Sequence, residues 1–107
     1  MPPKGFTKAG NLPRLGDGEM MAADVNGGRV LIANVDGDVY AVAELCPHEG
    51  APLAEGYLTD NMVECPWHAS VFNVKTGKRR EGPAREDLIA YEVLVEGDDI
   101  FVGPEML

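Results

Sequence analysis

Short apolar runs separated by turn residues fill this chain, and with 13 glycines and 8 prolines they predict many short strands rather than helices. Glu19 to Val25 and Arg29 to Val35 read as strands joined at Asn26-Gly27-Gly28. Val39 to Leu45 pairs back through Asp36-Gly37, a dipeptide suited to a two-residue hairpin turn. Met62 to Glu64 and Val71 to Val74 are shorter runs, and Lys75-Thr76-Gly77-Lys78 reads as a turn. Ile89 to Val95 and Ile100 to Val102 form a last hairpin around Glu96-Gly97-Asp98-Asp99. The expected fold is all-β: an antiparallel β-sandwich or barrel-like base bearing a smaller subdomain at about Leu45 to Pro83.

At 107 residues the chain fits one domain, residues 1–107, with a small core. It shows no internal repeat and no low-complexity segment. The opening Met1-Pro2-Pro3-Lys4-Gly5-Phe6 lacks the apolar run of a secretory signal, and no stretch approaches the ~20 apolar residues of a membrane span. A soluble, cytoplasmic monomer is expected. Nine basic against 18 acidic residues give a net charge of −9, which argues against nonspecific nucleic-acid binding.

The candidate chemistry changes this bland picture. Cys46-Pro47-His48 and, after 16 intervening residues, Cys65-Pro66-Trp67-His68 use every cysteine and histidine in the chain. A disulfide would need only the cysteines, whereas a metal centre with two thiolate and two imidazole ligands explains all four. In common zinc fingers the cysteines form one close pair and the histidines another, but here each segment supplies one of each. That is the arrangement of a Rieske [2Fe–2S] centre, in which two thiolates bind one iron and two imidazoles the other. A mononuclear Cys2His2 zinc site, stabilising an interaction module, would use the same donors.

The stretches CPHEGAPLAEG at Cys46 to Gly56 and ECPWHASVFNVKTG at Glu64 to Gly77 resemble the Rieske ferredoxins of bacterial aromatic-ring-hydroxylating dioxygenases. Asn11 to Glu19 is similar to the loop entering that family's first long strand, and Glu81 to Ala84 to its proline loop, which covers the cluster. The resemblance implies a Rieske fold with the cluster in the small subdomain and one [2Fe–2S] cluster on Cys46, His48, Cys65 and His68. It also implies a one-electron carrier between a flavin- or NAD(P)H-dependent reductase and a terminal oxygenase of aromatic hydrocarbon catabolism. The Rieske-like small subunit of an assimilatory nitrite reductase is the alternative.

Two absences refine the expectation. High-potential relatives carry an extra cysteine in each ligand loop, where this chain has Ala51 and Trp67. They also aim a serine and a tyrosine hydroxyl at the cluster sulfurs; Ser70 matches the serine, and Phe72 replaces the tyrosine. The lower part of the Rieske range, about −150 to +300 mV, follows. Both histidines being committed, none remains for a mononuclear oxygenase iron, and no Gly-rich fingerprint for a flavin or nicotinamide is present. The chain is therefore not catalytic alone.

Around the ligands, Pro47 and Pro66 shape the loops by fixing φ. Gly50 and Gly56 permit amides to approach the sulfurs. Pro47, Trp67 and Pro83 are candidates for a docking rim, together with Pro52 and Leu53. Lys75, Lys78, Arg79, Arg80 and Arg85 place five of nine basic residues in one segment, and Glu49 and Glu55 offer opposite charge in the first loop.

Overall fold

The computed structural model describes residues 3–47, 50–67, 69–82 and 84–106. Six strands form one antiparallel sheet: β1 (Thr7–Asn11), β2 (Met20–Val25), β3 (Gly28–Val35), β4 (Asp38–Ala43), β9 (Ala90–Glu96) and β10 (Asp99–Glu105), in the order β1-β10-β9-β4-β3-β2. A second, four-stranded sheet, β5-β6-β7-β8, consists of β5 (Tyr57–Thr59), β6 (Met62–Glu64), β7 (Val71–Asn73) and β8 (Arg79–Glu81). Single 3-10 turns lie at Leu12–Arg14 and Leu53–Glu55. No helix among the described residues is long and apolar enough to cross a membrane.

Turn chemistry sets the hairpin registers. Asn26 and Gly27 both have positive φ, 51° and 83°, as do Asp36 and Gly37 at 55° and 91°. Two successive positive φ values define the type I′ turn, whose twist matches paired strands. Val25 accordingly pairs with Gly28 and Val35 with Asp38, which puts Gly28 inside the strand rather than in the turn. In the last hairpin Glu96 pairs with Asp99, leaving Gly97-Asp98 as the loop.

Two groups of buried side chains lie on opposite faces of β3. Val30 and Ile32 pack with Leu15, Ala41, Ile100 and Val102 inside the curl of the large sheet. Leu31, Ala33 and Val35 join Val42, Leu53, Val63, Phe72 and Val74, so this second group binds the large sheet to the small one. Burial on both faces explains why β3 reads as a nearly continuous apolar run. Asn34, 8% exposed, donates to the Leu15 carbonyl at 2.9 Å and accepts the Gly37 amide at 3.0 Å, tying the Leu12–Arg14 turn to the hairpin.

The sequence pattern did not predict β1, β5 or β8. All three are short, and β8 is wholly exposed. They are strands because a neighbour supplies a register: β1 pairs with β10, β5 with β6 and β8 with β7.

Tyr91 faces Glu105 across the β9–β10 pair. Burial first, and then the Glu105 carboxylate, raises its phenol above the ordinary range. As pH rises past about 10 the unfolded phenol ionises before the folded one, so the native state holds more protons and stability falls until the folded pKa is passed. Tyr91→Phe is expected to make the loss of urea resistance between about pH 9 and 12 shallower. An unchanged slope would show that this phenol does not contribute.

Candidate metal centre

Cys46 and Cys65 reach the core from separate loops. Cys46 follows β4 and Cys65 follows β6; both are buried, 2% and 1% exposed, and they are not joined in a disulfide. Both belong to the buried group that unites the two sheets.

Backbone hydrogen bonds shape each loop. In the first, Leu45 bridges to Pro52, the Cys46 amide donates to the Ala51 carbonyl at 2.9 Å, and the Gly50 amide donates to the Cys46 carbonyl at 2.7 Å. In the second, the Cys65 amide donates to the Ser70 carbonyl at 2.8 Å and its carbonyl accepts the Ala69 amide at 3.3 Å. This tight closure holds Ala69 at a φ of 59°, in the left-handed region. A residue with a Cβ adopts it at a cost of about 1–2 kcal/mol.

Two glycines bring the pieces together. Gly56 ends the Leu53–Glu55 turn, its amide donating to the Leu53 carbonyl at 2.9 Å, and a Cβ there would overlap the carbonyl oxygen of Glu64, next to Cys65. Gly82 lies against Ser70, where a Cβ would overlap the Ser70 backbone. Gly56→Ala is expected to push the first loop away from the second and to lower stability by about 1–3 kcal/mol, read as a shift in urea midpoint. A midpoint equal to the parent's would show that the loops are not packed through this position.

Ser70 and Phe72 are both completely buried. The Ser70 hydroxyl oxygen accepts the Ala84 amide at 3.0 Å, which fastens the second loop to the segment after Gly82 and leaves the hydroxyl proton available for donation. Phe72 pairs with Val63 across β6 and β7 and sits in the same buried group as both cysteines. Trp67 is 60% exposed, and Pro47 is exposed. Leu53 cannot line a docking rim, because it is fully buried beneath the first loop, while Pro52 is partly buried. Lys75, Lys78, Arg79, Arg80 and Arg85 are all exposed, with the Lys75 ammonium 5.5 Å from the centre of the Tyr40 ring. His48, Glu49, His68 and Pro83 lie outside the described residues.

The donor chemistry fits an iron–sulfur group. Two sequestered thiols on hydrogen-bonded loops, each loop also carrying a histidine in sequence, match the mixed thiolate–imidazole set of such a centre. Glu44 as a buried acid was not singled out from the sequence, where its place two residues before Cys46 was the only signal, and Gly82 entered only as part of the Glu81 to Ala84 proline loop.

Comparison with known proteins agrees. The Rieske [2Fe-2S] domain family matches residues 6–92. The ferredoxin component of biphenyl 2,3-dioxygenase from Rhodococcus jostii (strain RHA1) is 38% identical over 100 residues, covering 94% of each chain. Apoptosis-inducing factor 3 from Homo sapiens is 35% identical over 88 residues, and there the match spans 82% of this chain but only 14% of the longer protein. Among solved structures, the ferredoxin of carbazole 1,9a-dioxygenase from Nocardioides aromaticivorans IC177 superimposes with a TM-score of 0.89 at 34% identity, over 92% of this chain and 97% of that one. With the six- and four-stranded sheets and the paired loops already in place, the chain belongs to the Rieske [2Fe–2S] ferredoxin family, similar to the ferredoxin components of bacterial dioxygenases.

Proposed function

We propose that Cys46, His48, Cys65 and His68 hold one [2Fe–2S] cluster and that the chain carries single electrons from a flavin- or NAD(P)H-dependent reductase to a terminal oxygenase. The observation that carries this reading is the pair of buried thiols on two loops packed against each other through Gly56 and the Glu64 carbonyl. When bound, the cluster supplies reversible one-electron chemistry. The chain's part is to fix the ligands, exclude water from the thiol side and present the other side to partners. Backbone bonds within each loop shape the turn that carries each cysteine, and the buried group that joins the two sheets encloses both.

The similarity to a biphenyl dioxygenase ferredoxin component over nearly all of both chains supports a terminal oxygenase as acceptor. Pro47, the exposed Trp67 and Pro83 are our candidates for a docking rim; the exposed basic side chains of Lys75, Lys78, Arg79, Arg80 and Arg85 offer a second contact, for an acidic face. We place the protein in the cytoplasm as a monomer, its 107 residues one unit with the cluster-binding part at about 45–83. Anaerobic stopped-flow mixing of the reduced protein with an oxidised ring-hydroxylating oxygenase tests the role. Oxidation of the carrier at a rate that rises with oxygenase concentration is expected. A purified protein that is colourless and holds zinc without sulfide would overturn it.

Ser70 and Phe72 are the positions proposed to tune the potential. A hydrogen bond to a charged acceptor is worth ~1.5–3 kcal/mol, of which only the part that strengthens on reduction shifts the midpoint. A differential of ~1 kcal/mol corresponds to ~40 mV for one electron. Phe72→Tyr is expected to raise the midpoint by tens of millivolts. Ser70→Ala should lower it similarly and also cost ~1–3 kcal/mol of stability, because the buried Ala84 amide loses its acceptor. Voltammetry that finds both midpoints within ~10 mV of the parent, with clusters intact, would assign tuning to backbone amides and solvent access instead.

A further inference from the structure

Glu44 is the one acidic side chain fully buried among the described residues, 1% exposed, and the electron-transfer reading above leaves it without a role. It follows the last residue of β4 and precedes Cys46 by two positions. Its amide donates to the Arg29 carbonyl at 3.2 Å, and its own carbonyl accepts the Leu53 amide at 2.9 Å. Its carboxylate accepts the Ala54 amide at 3.2 Å through Oε2, while Oε1 stands 3.4 Å from Nε of Arg29. Main chain and side chain thus grip two successive amides of the Leu53–Glu55 turn. The loop carrying Cys46 is closed into a ring and fastened to the start of β3.

The burial order here runs against hydrophobicity, since the neighbouring Leu45 is 49% exposed. A glutamine would accept the Ala54 amide equally well without the desolvation of a charge, so hydrogen bonding alone does not account for an acid at this place. Its countercharge is also incomplete: the Arg29 side chain is about half exposed and shared with Asp24, 3.4 Å from it.

We infer that Glu44 is a positioning residue for the first ligand loop and that its carboxylate opposes uptake of the electron, with Arg29 setting how strongly it is felt. The inference rests on Cys46 being a cluster ligand. Reduction adds one negative charge, so removing a nearby anion favours the reduced form and removing a cation disfavours it.

Glu44→Gln, Glu44→Ala and Arg29→Gln in the cluster-loaded protein test both parts, through iron and sulfide content, midpoint, and the rate of iron loss to a chelator. Glu44→Gln should load fully and shift its midpoint upward, giving a several-fold higher ratio of reduced to oxidised protein at the parent's midpoint. Arg29→Gln should shift it downward. Glu44→Ala alone discards the acceptor for Ala54 and should release iron several-fold faster than Glu44→Gln. A fully loaded Glu44→Gln protein with the parent's midpoint would overturn the electrostatic role, and equal iron release from the two Glu44 variants would overturn the clamp. Should Glu44→Gln fail to load, an unchanged or raised midpoint in Arg29→Gln overturns the electrostatic role by itself. Absence of iron and sulfide from the parent overturns the ligand assignment and this inference with it, an outcome distinct from a normal cluster that ignores Glu44.

Discussion

Cys46→Ser and Cys65→Ser are each expected to remove the iron–sulfur cluster almost entirely while leaving the polypeptide folded. The contrast follows from what each atom does. Serine has nearly the shape of cysteine, and the hydrogen bonds that shape the loops run through the Cys46 and Cys65 backbone, so the substitution leaves them intact. Both side chains are buried in the group that joins the sheets, and one hydroxyl in place of a thiol there costs ~1–3 kcal/mol if it finds no partner. The ligand chemistry, by contrast, is lost. Iron in these centres takes soft thiolate, and a serine hydroxyl stays protonated at neutral pH. The parent should contain about two iron and two sulfide per chain, and each variant close to none, with far-ultraviolet circular dichroism preserved. A serine variant retaining full iron and sulfide would remove that cysteine from the ligand set.

Gly82→Ala is expected to cost more stability than Gly56→Ala, because it adds backbone strain to the overlap. Gly82 has a φ of 101°, outside the region that residues with a Cβ adopt at moderate cost, and the added carbon would meet the Ser70 backbone, which has no flexible end to swing away. Strain of this kind is worth ~1–3 kcal/mol, and overpacking against rigid backbone a further ~1–3 kcal/mol. The segment must therefore retreat from the second ligand loop, breaking the 3.0 Å bond between the Ala84 amide and the Ser70 hydroxyl. Chemical denaturation should show the loss, and the loaded protein should surrender iron to a chelator faster than the parent. If stability and iron release both match the parent, the proline loop does not press on the ligand loop as the structure indicates.

These predictions draw on two kinds of information. The four proposed donors could be picked out without any coordinates, because metal ligation depends on atom type and short-range spacing, both of which are written in Cys46-Pro47-His48 and Cys65-Pro66-Trp67-His68. The hairpins at Asn26-Gly27 and Asp36-Gly37 were legible for a related reason: positive φ is a local requirement that few residues meet. Tertiary structure decided what depends on partners distant in sequence. Arg79-Arg80-Glu81 has no apolar alternation, yet it is a strand because β7 offers it an edge. Leu53 left the expected docking rim for the core, and Glu44 was buried while Leu45 was exposed, since the partners of Glu44 at the end of β4 are the Leu53–Glu55 turn and Arg29, and their placement rather than either side chain's own hydropathy decides which is covered. The sequence by itself determined the tight turns and pointed to the proposed ligand set, because these are properties of single residues and their neighbours. Only the packing of the two sheets decided how the two cysteine loops meet, through Gly56 on the Glu64 carbonyl, and how the segment after β8 meets the second of them, through Gly82 on Ser70, because a close approach between segments is fixed by both surfaces at once.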